Sequence, residues 1–256
     1  MDTHNATVVD QFTRQADAFA AAAAIRDDQA LDLLVARCGA GANDESLDVA
    51  CGPGLVVCAF ARVVRAAAGI DLTPAMISKG EALATAKGLA NASFRVGDVN
   101  ALPYASASFS VVTSRYAFHH FAQPARVLEE MVRVCRPQGR VAVMDMIASD
   151  DQATSERFNR MEKLRDPSHV GALTLPALRK CFQDAGLSEP AIAHRKMTVE
   201  LEAVLNASFP NEGDKERVRE MVIASLDGDS LGTQTHLLAG KVVFSYPIAL
   251  LVATVT

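Results

Sequence analysis

The chain has 256 residues, room for one large α/β domain or two small ones, and half of them are hydrophobic, ample for a sizeable core. Its 25 Lys and Arg stand against 30 Asp and Glu, a formal net charge of -5 with no basic block, which argues against a nucleic-acid partner. Met1–Asp10 is polar, the longest apolar run (Ile248–Val255) is too short to span a bilayer, and the scattered cysteines form no CxxC pair, so a cytoplasmic chain with reduced thiols is expected.

Alanine-rich patterning predicts helix over Thr7–Cys38, including the run Ala20–Ala24. Strands and helices then alternate. Ser46–Ala50 is a short strand ending in a Gly-rich turn, Leu55–Val64 a helix and Ala66–Ile70 a strand. Thr73 followed by Pro74 starts a helix that runs to about Lys87 and stops at Gly88. Ala92–Val96 and Phe109–Thr113 are strands. Pro124 opens an amphipathic helix whose inner face carries Val127, Leu128, Met131, Val132 and Cys135. Arg140–Asp145 is a fifth strand. After Asp150 the rhythm loosens, with a helix over Thr174–Ala185 and late strands over Ala191–Glu200 and Val242–Val255. The alternation predicts a doubly wound, mostly parallel α/β sheet with helices on both faces.

Three strand tips carry acids. In Leu47-Asp48-Val49-Ala50-Cys51-Gly52-Pro53-Gly54 a strand delivers Asp48, and two glycines then let the backbone approach a ligand at a helix N-terminus. A dinucleotide fingerprint would continue to a third glycine, but Val57 stands there, and Asp48 would repel a pyrophosphate while welcoming an amine. Gly69-Ile70-Asp71-Leu72-Thr73 places Asp71 where a carboxylate can accept both hydroxyls of a ribose; a helix-capping role also fits it. Val96-Gly97-Asp98-Val99 places Asp98 where it can accept from an adenine amino group, or simply close a turn. Three acids on successive strand tips point together to a nucleoside ligand with a cationic end.

Together with Arg115-Tyr116-Ala117-Phe118-His119-His120-Phe121 and the stretch Leu128–Asp145, these motifs resemble the class I S-adenosylmethionine-dependent methyltransferases, within the subgroup similar to ubiquinone/menaquinone C-methyltransferases. The resemblance runs from about Phe12 to Gly186. It implies a Rossmann-like, seven-stranded sheet in one domain over 1–256: lid helices in 1–40, a cofactor-binding core in 41–150, and acceptor-side helices and final strands in 151–256. It implies S-adenosyl-L-methionine as cofactor, with Asp48, Ala50, Gly52, Gly54, Asp71, Leu72, Met76, Asp98, Val99 and Arg115 around it. Around Phe12, Arg14, Gln15 and Phe19 it implies a lid helix that excludes water. Ser110 departs from the family's acid, and Gln138 from its glycine.

On the acceptor side, His119 and His120 follow the fourth strand, and either can act as general base near neutral pH; the residues leave open which one. Tyr116, Phe121, Arg165 and His169 are the substrate-binding candidates, the last two in Arg165-Asp166-Pro167-Ser168-His169, which also fits a solvated turn with Arg165 and Asp166 paired. Phe109, Phe118 and Phe121 are candidates for an apolar pocket wall. No metal site has sensible ligand spacing. The expected activity is methyl transfer to a small aromatic or heterocyclic acceptor at oxygen, nitrogen or carbon, by a monomer or homodimer without nucleic acid or membrane span. A nicotinamide-dependent oxidoreductase and a non-catalytic S-adenosylmethionine-binding protein are the rival readings.

Overall fold

The computed structural model describes residues 3–21 and 25–256. Of the alanine run, Ala22–Ala24 lie outside the described residues. Two helices open the chain, α1 (Thr3–Ala21) and α2 (Asp28–Arg37), within the stretch expected to be helical. The Asp27 side chain accepts from the Ala30 N–H at 3.1 Å and so caps α2 separately.

The core then alternates β1 (Glu45–Val49), α3 (Leu55–Ala61), β2 (Ala66–Asp71), α4 (Pro74–Ala86), β3 (Ala92–Val96) and β4 (Phe109–Arg115). A 3-10 turn over Phe118–His120 leads to α5 (Pro124–Val134) and β5 (Cys135–Met146). The C-terminal part comprises α6 (Gln152–Arg165), α7 (Leu175–Asp184), β6 (Ala191–Glu200), α8 (Leu201–Ala207), α9 (Asp214–Ala224), β7 (His236–Leu238) and β8 (Lys241–Thr254).

The strands form one sheet in the order β3-β2-β1-β4-β5-β8-β6, with β7 paired to β8. β1 to β5 are parallel, and β8 runs antiparallel to both β5 and β6. The sheet therefore has eight strands rather than the expected seven. The extra one, β7, is a three-residue exposed strand, too short to leave a period-two pattern.

Alternate residues of β5 feed two cores. Val141 and Val143 pack with Val127, Leu128 and Met131 of α5 and Phe182 of α7. Ala142 and Met144 pack on the other face with Leu34 of α2, Phe60 of α3 and Met161 of α6. This is the doubly wound arrangement, and it aims the C-terminal ends of β1, β2, β3 and β4 at one edge of the molecule.

The two departures from the resembled family have local consequences. The Ser110 hydroxyl donates to Asp44 at 2.7 Å and accepts from the Glu45 N–H at 3.0 Å, tying β4 to the start of β1. Gln138 takes φ 62°, the left-handed region that a glycine would enter at no steric cost. Among the described residues no helix is long and apolar enough to cross a membrane, and no cluster of three His, Cys, Asp or Glu could hold a metal ion.

Candidate active site

A cavity of about 300 Å³ opens at the C-terminal strand ends. Asp48, Ala50 and Gly52 reach it from β1 and its turn, Asp71, Leu72 and Met76 from β2 and α4, Asp98 and Val99 from β3, and Arg115 from β4. All the cofactor candidates but Gly54 line it. Gly54 instead caps α3 with φ 76°, and a Cβ there would meet Gly80 Cα at 2.9 Å and the Phe94 ring at 2.6 Å.

The carboxylates are held in place by their own backbone. Asp71 accepts from the Gly52 N–H and the Thr73 N–H, both at 2.8 Å, one on each oxygen. Asp98 accepts from the Asn100 backbone at 2.9 Å and from its side chain at 2.8 Å. Asp48 is buried and accepts from the Thr113 hydroxyl at 2.8 Å. Burial pushes its carboxyl up to about 7, against the opposing pull of Thr113 and Arg115. Arg115 donates to the Ile25 carbonyl at 2.8 Å and lies over the Tyr116 ring, and its Nε is buried without a partner. Ala50 and Tyr116, both in the cavity wall, sit at positive φ, 57° and 56°.

α1 covers the opening. His4 and Asn5 line the cavity with Phe12 and Phe19. His4 bonds the His120 carbonyl at 2.8 Å, and Gln15 donates to Asp166 at 3.3 Å. Arg14 points elsewhere, over the Phe209 ring.

A second, wider cavity of about 500 Å³ adjoins the first. The two share Phe12, Phe19, Ile25, Tyr116 and His120. Its remaining wall includes His119, Met146, Arg165, Asp166, Met197 and Tyr246. His119 Nδ1 meets Asp145 at 2.6 Å, and the His119 backbone N–H donates to the other oxygen of Asp145 at 3.2 Å.

His120 is fixed by a longer chain. Ser168 donates its single hydroxyl proton to Asp166 at 2.6 Å, so its oxygen accepts from His120 Nδ1 at 3.1 Å. The proton of neutral His120 is therefore on Nδ1, and Nε2 has no partner among the described residues. Burial, with help from His119, pushes His120 down to about 3. Burial alone would raise Asp166, but the charge of Arg165 and the bonds from Ser168 hold its carboxyl well below the usual range.

A methyltransferase domain model matches residues 47–143. The uncharacterized methyltransferase YcgJ of Bacillus subtilis is 27% identical over 84% of this chain and 85% of its own length. The ubiquinone/menaquinone biosynthesis C-methyltransferase UbiE of Bdellovibrio bacteriovorus is 35% identical over 44% of this chain and 48% of its own. Among solved structures, YcgJ superposes with a TM-score of 0.82 at 24% identity, covering 89% of this chain and 98% of that one. A methyltransferase candidate from Bacillus halodurans C-125 reaches 0.80 at 27%, covering 89% and 99%.

Domain model, relatives and fold together support a class I S-adenosylmethionine-dependent methyltransferase. They count against the nicotinamide reading, which the missing glycine at Val57 already disfavours. In the methyltransferase the two histidines part: His119 faces the second cavity only, and His120 faces both. Of the substrate-side candidates, Tyr116 lines both cavities and Arg165 the second, whereas Phe121 lines the first. His169 lines neither. It is fully buried beside His119, ring centroids 5.5 Å apart, and bonds Asn159 at 2.9 Å. Phe109 and Phe118 pack into the core instead of a pocket wall. Arg165 pairs with Glu162 at 2.6 Å, not with Asp166. Sequence reasoning missed Asp145 and Glu162, and it gave Ser168 no role within its loop cluster. The first had a signal, since it is an acid at the tip of the fifth strand, like the three acids that were noticed.

Proposed function

We propose that the methyltransferase holds S-adenosylmethionine in the first cavity and a small aromatic or heterocyclic acceptor in the second, with His119 as the general base. The shared wall of the two cavities carries this reading: two compartments that meet at Tyr116, His120, Phe12 and Phe19 suit a transfer between two bound molecules.

The first cavity fits the cofactor on its own chemistry. Asp71 is oriented by two amides and keeps lone pairs for the ribose hydroxyls; Asp98 suits the adenine amino group. The partnerless Nε of Arg115 suits the carboxylate of the amino-acid end, and buried Asp48 suits its ammonium. Bound there, S-adenosylmethionine supplies an electrophilic methyl on a sulfonium and leaves as a neutral thioether.

The choice between the histidines follows from their partners. Their ring centroids are 4.2 Å apart, so they cannot both be charged at little cost. Asp145 contacts His119 and stabilises the imidazolium formed when its Nε2 takes a proton. His120, held low and neutral, serves as a fixed wall at the junction.

His119→Asn is expected to lower kcat by about 10²–10⁴-fold, measured by transfer of a labelled methyl group to the best acceptor from a phenol and heterocycle screen. S-adenosylmethionine affinity should stay within about threefold, because the cofactor's contacts come from other strand tips. Full turnover in a folded His119→Asn variant overturns the assignment.

A further inference from the structure

We propose that the second cavity selects an uncharged acceptor, a phenol or enol on an apolar body, and rejects carboxylates and phosphates, because Glu162 occupies the guanidinium of Arg165. The inference rests on the reading of this cavity as the acceptor site.

Arg165 is the one Lys or Arg among the described residues that line the cavity. An anionic substrate would need it, and it is already engaged. Glu162 is wholly buried and accepts from Arg165 Nε at 3.0 and 3.1 Å and from Nη2 at 2.6 Å. Tyr246 donates to the same Glu162 at 2.9 Å, fixing the carboxylate against the guanidinium. Arg165 Nη1 donates to Ser208 at 3.2 Å. A bidentate buried pair of this kind does not release its cation to an incoming ligand without leaving a buried acid alone.

The remaining charges in the wall are negative. Asp166 lines the cavity and is bonded by Ser168 and Gln15, neither of them a cation. Glu200 lines it as well and is matched by Lys241 at 3.1 Å. A carboxylate or phosphate entering here would be desolvated beside Asp166 with no free counter-charge.

A hydroxyl that reaches His119 gives up one proton to it, and the total charge inside the cavity does not change. The rest of the acceptor would meet Met146, Met197, Val199 and Val204. Thioether and aliphatic walls suit an apolar, polarisable body. The volume of about 500 Å³ lies in the range of sites that bury a molecule of several rings.

The test uses the full-length protein saturated with S-adenosylhomocysteine and two matched probes, 2-naphthol and 6-hydroxy-2-naphthoate, with binding read by fluorescence. The carboxylated probe is expected to bind at least about tenfold more weakly. Glu162→Gln keeps an acceptor for Tyr246 but no longer neutralises Arg165, so the discrimination should shrink or reverse. The wild-type comparison stands by itself if that variant does not fold. Equal or tighter binding of the naphthoate by the wild type overturns the proposal. So does unchanged discrimination in a folded Glu162→Gln variant, and so does binding of neither probe. Ala207→Trp, which fills the cavity from α8, separates the two levels: naphthol binding that survives it sinks the acceptor-cavity reading itself, whereas naphthol binding lost in Ala207→Trp without charge discrimination in the wild type sinks only the proposal about Glu162 and Arg165.

Discussion

Asp48 is a buried acid whose proton is available to be displaced. Burial holds its carboxyl at about 7, so near neutral pH the unliganded site retains a substantial fraction of that proton. A cation arriving beside it favours the ionised form and drives the proton out. S-adenosylmethionine binding at pH 6.5 is therefore expected to release a proton, seen as a calorimetric enthalpy that depends on the ionisation heat of the buffer. Asp48→Asn should remove that dependence. If the variant releases as many protons as the wild type, the ammonium sits elsewhere. The acid itself was legible in the sequence, because strand tip, glycine turn and helix start are neighbours along the chain. The partners of the histidines were not. Asp145 is 26 residues from His119, and Ser168 is 48 from His120; they meet only because β5 lies beside β4 and the α6–α7 connection folds back over the 3-10 turn.

At the scale of elements, α3, α4 and β3 approach one another closely. Gly54 and Gly80 grip the Phe94 ring between them, and a Cβ at either would lie within 3 Å of it. Gly54→Ala combines that overlap with a left-handed φ and a contact on Gly80 backbone. It should lower stability by about 1–3 kcal/mol. Urea unfolding measures this, and an unchanged midpoint would show that α3 shifts freely. Helices and strands with one clearly apolar face, such as α5 and β5, were readable from sequence. By contrast, α6 buries only Phe158, Met161 and Glu162 and is otherwise polar, so its period is faint. The same faintness hid the spacing of Glu162 and Arg165, three residues apart on one helical face. The start of α2 was hard to place for a different reason: alanine favours helix throughout this stretch of sequence, and only the Asp27 cap marks it.

The whole molecule carries an acid sensitivity. Burial pushes His120 down to about 3 and His169 down to about 2. In the unfolded chain both titrate near 6.5, so the unfolded state binds more protons as pH falls below that value. Their contribution to stability is complete above about pH 6.5 and is lost as pH falls towards the folded values. Asp48 acts in the opposite sense, because its raised folded value makes the native state the better proton binder between 3.8 and about 7. Asp71 is raised by burial as well and offsets part of the histidine effect, so each histidine removed should make the loss of stability between roughly pH 6 and 4 less steep, by up to about 1.4 kcal/mol per pH unit. Urea midpoints across that range check the slope. His169→Gln, which can still donate to Asn159, should flatten it; an equally steep slope in that variant would assign the acid sensitivity to other groups.

One helix walls both cavities. Phe12 and Phe19 of α1 face the first and the second cavity at once, and the bonds from His4 and Gln15 fasten the same helix to the histidine turn and to Asp166. Neither compartment can be unsealed alone by moving it. With the proposed occupants in place, methylated product and spent cofactor would share an exit event, and the traffic of either should be timed by the detachment of α1. Weakening the latch, as in Gln15→Ala, should speed the dissociation of S-adenosylhomocysteine and of a bound naphthol by the same factor in stopped-flow release. Two different factors would mean that each ligand has a door of its own.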